Sequence, residues 1–279
     1  MLQSVFRLVM DRRRWLAVLV ALGCGLPAAA SEEDQGRALR VLCYNIHYGQ
    51  GMDGRYDIPR LAAVINQIKP DLLALQEVDV GVKRSDRVHQ AQELGRLTGM
   101  AVRFGPTQHY EGGLFGNAVL TRLPILDVAI HPLPYTESTP ERVTYPRGAI
   151  AVVVRGPGGQ PIRFVSTHFQ HNVPEDRVEQ AKAVNGLFAD LDDPLPTILA
   201  GDINALPDSE PVRILRERWT DASDDPQAPT VPSEKPTSRI DYIFYRPQTQ
   251  FRLAQAEVIA EVMASDHRPV LAVVELVGQ

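Results

Sequence analysis

The sequence predicts an α/β fold in which sheets pack against each other and helices lie outside them. Three observations predict it. Apolar runs of strand length recur along the chain. Only about three segments carry the longer apolar spacing of a helix. Glycine- and proline-bearing turns join neighbouring strand runs directly, as hairpins require. The chain has 279 residues, 44% hydrophobic and 23% charged, enough for one large domain with a substantial core. No linker, low-complexity block or short-period repeat interrupts it, so one domain is expected over residues 38–279.

The N-terminus stands apart. Arg7, Arg12, Arg13 and Arg14 precede an apolar run from Trp15 to Leu26, and Pro27-Ala28-Ala29-Ala30-Ser31 follows. A basic region, a short apolar core and a small-residue exit describe a secretory signal peptide over residues 1–30, cleaved near Ala30. The run is shorter than the roughly 20 residues a membrane-spanning helix needs. Export to the periplasm or the medium is the expectation. Arg12-Arg13-Arg14-Trp15-Leu16 weakly resembles a twin-arginine signal, and Ala21-Leu22-Gly23-Cys24 a lipoprotein cleavage box. The leader carries four Arg and one Asp, so its removal takes the formal charge from −5 to −8. An acidic chain is a poor match to sequence-independent binding along a nucleic-acid backbone. Cys43 would remain as a single cysteine, which excludes an intrachain disulfide and suits a buried core position.

Residues 31–37 are polar. Leu39 to Tyr44 reads as a strand, and Gly49 to Gly54 as a glycine-rich loop. Ile58, Leu61, Ala62, Ile65 and Ile68 have helical spacing, with Pro59 in the first turn and Lys69-Pro70 as the stop. Leu72 to Glu77 is a buried strand. Val88 to Leu97 is helical. Ala101 to Phe104 and Asn117 to Thr121 are strands around a glycine-bearing loop, 105–116. Ile125 to Ile130 is a strand, and 131–147 a Pro- and Thr-bearing loop. Ala149 to Val154 and Ile162 to Thr167 form a hairpin about Gly156-Pro157-Gly158-Gly159. Pro174 to Leu191 is a helix. Thr197-Ile198-Leu199 leads a strand into Gly201-Asp202-Ile203-Asn204, and a short helix runs from Ser209 to Arg216. Residues 222–238 carry four prolines and read as a surface loop. Strands at Arg239 to Tyr245, Leu253 to Ile259 and Pro269 to Val277 close the chain.

Several strand ends carry polar residues that a core does not need: Asn45, Glu77, His168, Asp202 with Asn204, Asp241, and Asp266 with His267. Ligand and catalytic groups gather where loops leave a rigid sheet. Gly, Asp and Asn are also turn residues, so the Asp202–Asn204 piece alone reads as well as a turn. In extended chain Asp202 and Asn204 would point to one side. The mixture of carboxylates and amide oxygens suits Mg²⁺, Mn²⁺ or Ca²⁺ better than zinc. Two histidines beside such a metal suit proton transfer, and Asp241 can hold one ring nitrogen of His267.

The ordered set resembles the motifs of the endonuclease/exonuclease/phosphatase superfamily. It comprises Cys43-Tyr44-Asn45-Ile46, Leu75-Gln76-Glu77-Val78-Asp79, Asn117 to Ile125, Ser166-Thr167-His168-Phe169, Ala200 to Asn204, Arg239 to Ile243, and Ser265-Asp266-His267-Arg268-Pro269-Val270. The resemblance implies a four-layer α/β/β/α sandwich of two mixed sheets flanked by helices. It also implies Mg²⁺-assisted hydrolysis of phosphodiesters or phosphomonoesters. By motif, Glu77 is the main metal ligand with Asn45 beside it, and Asp266 assists. His267 is the general base with Asp241 its partner. Asp202 and Asn204 position nucleophile and phosphate, and His168 binds phosphoryl oxygens or protonates the leaving group. A histidine at 168 resembles the secreted deoxyribonuclease and sphingomyelinase branches.

Asn117 and Arg147 are candidates for substrate contact, with a turn and a surface ion pair as the respective alternatives. Arg84 reads the same way as Arg147. His47 has a weaker claim, and His89, His109, His131 and His171 have no motif support. Trp219 and the scattered tyrosines read as packing residues. The expected function is an exported, Mg²⁺-dependent phosphoesterase acting on a small or lipid-derived phosphodiester. A secreted endonuclease and a catalytically inactive binding protein of the same fold are the alternatives. Nucleic acid and membrane lipid are therefore both candidate partners, and 105–116, 131–147 and 222–238 are the expected specificity loops.

Overall fold

The computed structural model describes residues 38–277. The signal-peptide expectation and the polar stretch 31–37 lie outside them. The first sheet has the order β11-β12-β1-β2-β4-β3. Its strands are β1 (Leu39–Asn45), β2 (Leu72–Val80), β3 (Ala101–Tyr110), β4 (Gly113–Thr121), β11 (Phe251–Val258) and β12 (Val270–Leu276). The second has the order β5-β6-β7-β8-β10-β9. It comprises β5 (Ile125–Leu133), β6 (Arg147–Arg155), β7 (Pro161–His168), β8 (Thr197–Asp202), β9 (Thr220–Asp221) and β10 (Asp241–Arg246). Each sheet contains one parallel pair, β1–β2 and β7–β8. A parallel pair needs a crossover, and helices α1 (Ile58–Ile68) and α3 (Pro174–Phe188) supply the two. Helices α2 (Gln90–Thr98) and α4 (Glu210–Arg216) complete the outer layers.

The central strands are apolar on both faces, and three clusters follow. Val41, Cys43 and Ala74 of the first sheet meet Ile150, Val152 and Phe164 of the second between the sheets. Alternate residues Leu42, Tyr44 and Leu73 turn outward onto α1 and α2. Val165, Leu199 and Phe244 turn outward onto α3 and α4. The four-layer sandwich is thus the arrangement that covers every apolar face. All five apolar positions read along α1 are buried, Asp57 caps it by accepting from the Arg60 amide at 2.8 Å, and Lys69 ends it with φ +56°. Inside the apolar interface the sheets are also clasped by polar atoms. Gln76 Nε2 donates to Ser166 Oγ at 3.3 Å, and Ser166 Oγ donates to the Leu75 carbonyl at 3.1 Å.

Two readings change. The expected loop 105–116 is a long hairpin, with β3 and β4 paired from Ala101↔Thr121 to Tyr110↔Gly113. Its glycines mark close backbone approach rather than a loop: a Cβ on Gly116 would lie 2.1 Å from the Gly105 carbonyl oxygen. Helix α3 stops at Phe188 rather than Leu191, because Ala189 leaves helical backbone at φ −129°.

Candidate active site

Strand register assembles the site. His168 pairs with Asp202 across β7–β8, and Asp202 pairs with Asp241 across β8–β10. Three polar ends of the second sheet therefore stand side by side. The first sheet brings Asn45 at the end of β1 and Glu77 at a bulge in β2. Glu77 has φ +58°, a left-handed conformation that a glutamate adopts only under constraint, and its carboxylate reaches Asn45. His267 enters from the segment before β12. Ser265 Oγ fastens that segment to the Asn45 carbonyl at 2.7 Å and accepts from the His267 amide at 3.2 Å.

Asp202 is the hub. Its Oδ2 accepts from Asn45 Nδ2 at 3.0 Å and lies 3.4 Å from His168 Nε2 and 3.8 Å from His267 Nε2. Its Oδ1 accepts from the Asn204 amide at 2.9 Å. That bond corrects the extended-chain reading: Asn204 has φ +52°, and a turn rather than a strand brings it back to His168, with Nδ2 and Nε2 3.0 Å apart. Asp241 Oδ2 accepts from His267 Nδ1 at 2.9 Å and from Thr230 Oγ1 at 2.6 Å, while its Oδ1 has no partner. The Nδ1 proton of His267 is thus committed to Asp241, and Nε2 faces Asp202.

Burial and mutual charge set the protonation. Burial, then the charge of Asp241, push Asp202 up to about 7. Burial works against charge on His267, but Asp241 and Asp202 more than offset it and raise the imidazole to about 10. His168 goes the other way: burial and the charge of Arg147 hold it well below the ordinary histidine value, so it stays neutral. Arg147 Nη1 lies 3.1 Å from His168 Nδ1. The Asn204 amide nitrogen, also a donor, lies 3.0 Å from Nε2, so two donors compete for the single acceptor nitrogen of the neutral ring.

The site opens into a cavity of 340 Å³. Glu77, His168, Asp202, Asn204 and His267 line it together with Arg84, Tyr110, Phe115, Tyr145 and Arg147. A divalent cation fits the acidic group. Asp202, Asp241 and His267 offer atoms within 4.8 Å of one another, and the Asn45 amide nitrogen ties the Glu77 carboxylate to Asp202 beside them. A buried carboxylate oxygen without a donor, as on Asp241, is what such an ion would satisfy.

The fold therefore brings together Asn45, Glu77, His168, Asp202, Asn204, Asp241, His267 and Arg147. Two expected residues are placed differently. Asp266 is not in the Asp202–Asp241–His267 group; its side chain is 36% exposed, its Oδ1 lies 3.8 Å from His47 Nδ1, and its charge is among those that raise His267. Asn117 is buried beneath the site and does not line the cavity, because its Nδ2 is committed to the Gly148 carbonyl of the opposite sheet at 2.9 Å. Arg84 is ion-paired with buried Asp79 at 2.9 Å and lies over the Tyr48 ring at 3.6 Å. Sequence reasoning missed Thr230, His171, Tyr145, Tyr110 and Phe115. Only His171 carried a signal, its position three residues beyond His168.

A family profile described as "Endonuclease/Exonuclease/phosphatase family" matches residues 42–267. No curated protein matches the sequence. Among solved structures, an endonuclease/exonuclease/phosphatase from Beutenbergia cavernae DSM 12333 is similar at 27% identity and TM-score 0.71, over 87% of this chain and 72% of that one. The mannosyl-6-phosphatase Bt3783 of Bacteroides thetaiotaomicron VPI-5482 shares the fold at 22% identity and TM-score 0.68, over 86% and 100%. The human Nocturnin catalytic domain shares it at 19% identity and TM-score 0.64, over 86% and 95%.

Proposed function

The chain belongs to the endonuclease/exonuclease/phosphatase family, whose members are hydrolytic phosphoesterases, and from that premise we propose that it is an exported, Mg²⁺-dependent phosphodiesterase acting on a small or lipid-derived substrate. The observation that carries the chemistry is the Asp241–His267 pair facing Asp202 at the cavity. His267 takes a proton from the attacking water through Nε2, while Asp241 holds the opposite nitrogen and keeps the ring in place. Asp202 orients that water. Asn204 and His168 hold phosphoryl oxygens as water attacks phosphorus in line with the leaving oxygen. A divalent cation held by Glu77, Asn45 and the carboxylates would neutralise phosphoryl charge and relieve the field that keeps His267 protonated.

The cavity volume of 340 Å³ falls in the range of small-molecule sites. The formal charge of −5 and the neutralised Arg84 also favour a compact substrate over a polyanionic duplex. The basic, apolar and small-residue order of residues 7–31 supports export. The test compares bis(p-nitrophenyl) phosphate hydrolysis and plasmid nicking by the purified protein with Mg²⁺, beside His267→Ala. Diester hydrolysis without nicking, lost in the variant and on chelation, is the expected result. Efficient nicking would make the protein a nuclease, and turnover of neither substrate by a folded, metal-binding preparation would overturn the reading.

A further inference from the structure

Arginine at the centre of a protein is normally answered by a carboxylate or a shell of carbonyls. Arg239 is 3% exposed and donates to Asp221 Oδ1 at 2.6 Å. Arg246 is 5% exposed and donates to the carbonyls of Phe188, Asp190 and Asp193. Arg147 is 6% exposed and has neither. Its side-chain bonds run to two imidazoles, His168 Nδ1 at 3.1 Å and His171 Nδ1 at 3.3 Å. Its Nε is buried without any partner. Among the described residues no carboxylate comes within ion-pair distance of it; Glu77 and Asp202 act on its charge only through space.

The position of this cation is specific. His168 stands between it and Asp202, offering Nδ1 to Arg147 and Nε2 to the Asp202 side. An anion on Arg147 therefore sits on the Nδ1 side of His168, displaced by the breadth of one imidazole from a phosphoryl group on the Asp202 side. Arg147 and His171 both line the cavity, and Tyr145 packs on the His171 ring at 5.4 Å to form the wall behind them. Arg84, the other cavity arginine, is spent on Asp79. One unanswered cation makes one extra anion position, not a track for a polyanion.

We propose that Arg147, with His171, forms a second oxyanion subsite beside the phosphoryl position, so that the preferred substrate is a small phosphodiester bearing one further acidic group, a phosphate or a carboxylate. This rests on the phosphodiesterase reading of the same site. Guanidinium recognises both oxyanions through paired N–H donors, and Arg147 has them to spare.

The experiment uses two matched pairs of glycerophosphodiesters with Mg²⁺. Glycerophosphoserine differs from glycerophosphoethanolamine by a carboxylate, and glycerophosphoinositol 4-phosphate differs from glycerophosphoinositol by a phosphate. Wild type should favour the more acidic member of at least one pair by about tenfold or more in kcat/KM, the equivalent of one good charge-assisted contact. The pair that shows it identifies the oxyanion. Arg147→Gln slows every substrate, because Arg147 also holds His168, but the ratio within the pair should fall to about one. Arg147→Lys should keep part of it, and His171→Ala should weaken it. Equal rates within both pairs for wild type, or an unchanged ratio in Arg147→Gln, would overturn the subsite while leaving the phosphodiesterase reading intact. If wild type turns over no diester, that reading fails and calorimetry decides the subsite separately. Pyrophosphate binding at least about tenfold tighter than orthophosphate, with the difference lost in Arg147→Gln, upholds it, and equal affinities overturn it.

Discussion

Asp241 carries two donors on one oxygen and none on the other, and the second of those donors is Thr230. The Thr230 hydroxyl, in a side chain with no exposure, holds the carboxylate rotamer that in turn holds His267. Replacement by the isosteric valine removes that bond without opening space. Thr230→Val should lower kcat about 10- to 100-fold with KM little changed, and Thr230→Ser should restore most of it, read by steady-state kinetics on a diester. Thr230 also shows why part of the site was illegible. It comes from the proline-bearing stretch 222–238, where a threonine looks like any other turn residue, and its partner is reached only once β10 is in place. His171 was hidden in the same way, since its significance is the arginine it touches. Asn45, Glu77, His168, Asp202, Asp241 and His267 were legible because each follows or adjoins an apolar run with a polar group that the run itself does not need. Asp266 obeyed the same pattern; it lies 3.8 Å from His47 and reaches His267 only through its charge, so the pattern finds strand ends, not the direction of their side chains.

Elements with one dominant cause were read well. Helix α1 has an apolar stripe, a capping aspartate and a proline stop, and its observed bounds coincide with those expected. The β3–β4 hairpin was misread because glycine serves two purposes. Gly105, Gly113 and Gly116 resemble loop punctuation, but Gly113 lets backbone approach Gly81 and Val82, Gly116 lets β4 approach Gly105 of β3, and Gly105 leaves room for the Ile150 side chain. Gly116→Ala tests this. The added methyl would meet the Gly105 carbonyl oxygen at 2.1 Å, backbone against backbone, so the hairpin must part rather than adjust. A loss of about 2–4 kcal/mol is expected by chemical denaturation, in the range of overpacking and buried-strain mutations. Activity should fall with it, because Gln108, Tyr110 and Phe115 of the same hairpin form the cavity wall. An exposed loop at 105–116 would absorb the substitution without either loss.

Across the molecule, the charge of the site opposes the stability of the metal-free fold. Burial and then Asp241 raise Asp202 from 3.8 to about 7, so the folded chain holds this proton more tightly than the unfolded chain does. The sign follows: stability from this group is complete below 3.8 and is lost as pH rises toward about 7. The Asp202→Asn variant lacks the titration and also loses one of the charges that raise His267. Its thermal midpoint, measured with chelator present, should gain on wild type by about a few degrees across that interval. Saturating Mg²⁺ should raise the wild-type midpoint at neutral pH and leave that of the variant little changed. A parallel pH dependence of the two proteins would refute the link. The two-sheet architecture itself was readable because both faces of the central strands are apolar; the order of strands within each sheet was not, since local pattern carries no information about distant partners. That order has a consequence in time. The first strand of the described residues, β1, pairs along its length with the last, β12, and His267 lies just ahead of β12. The first sheet therefore stays incomplete until β12 has been synthesised, and His267, the base proposed above, is the last of the site's side chains to arrive. A chain cut short before β12 would carry every side chain of the site yet leave β1 as an open edge, and it is expected to hydrolyse no diester.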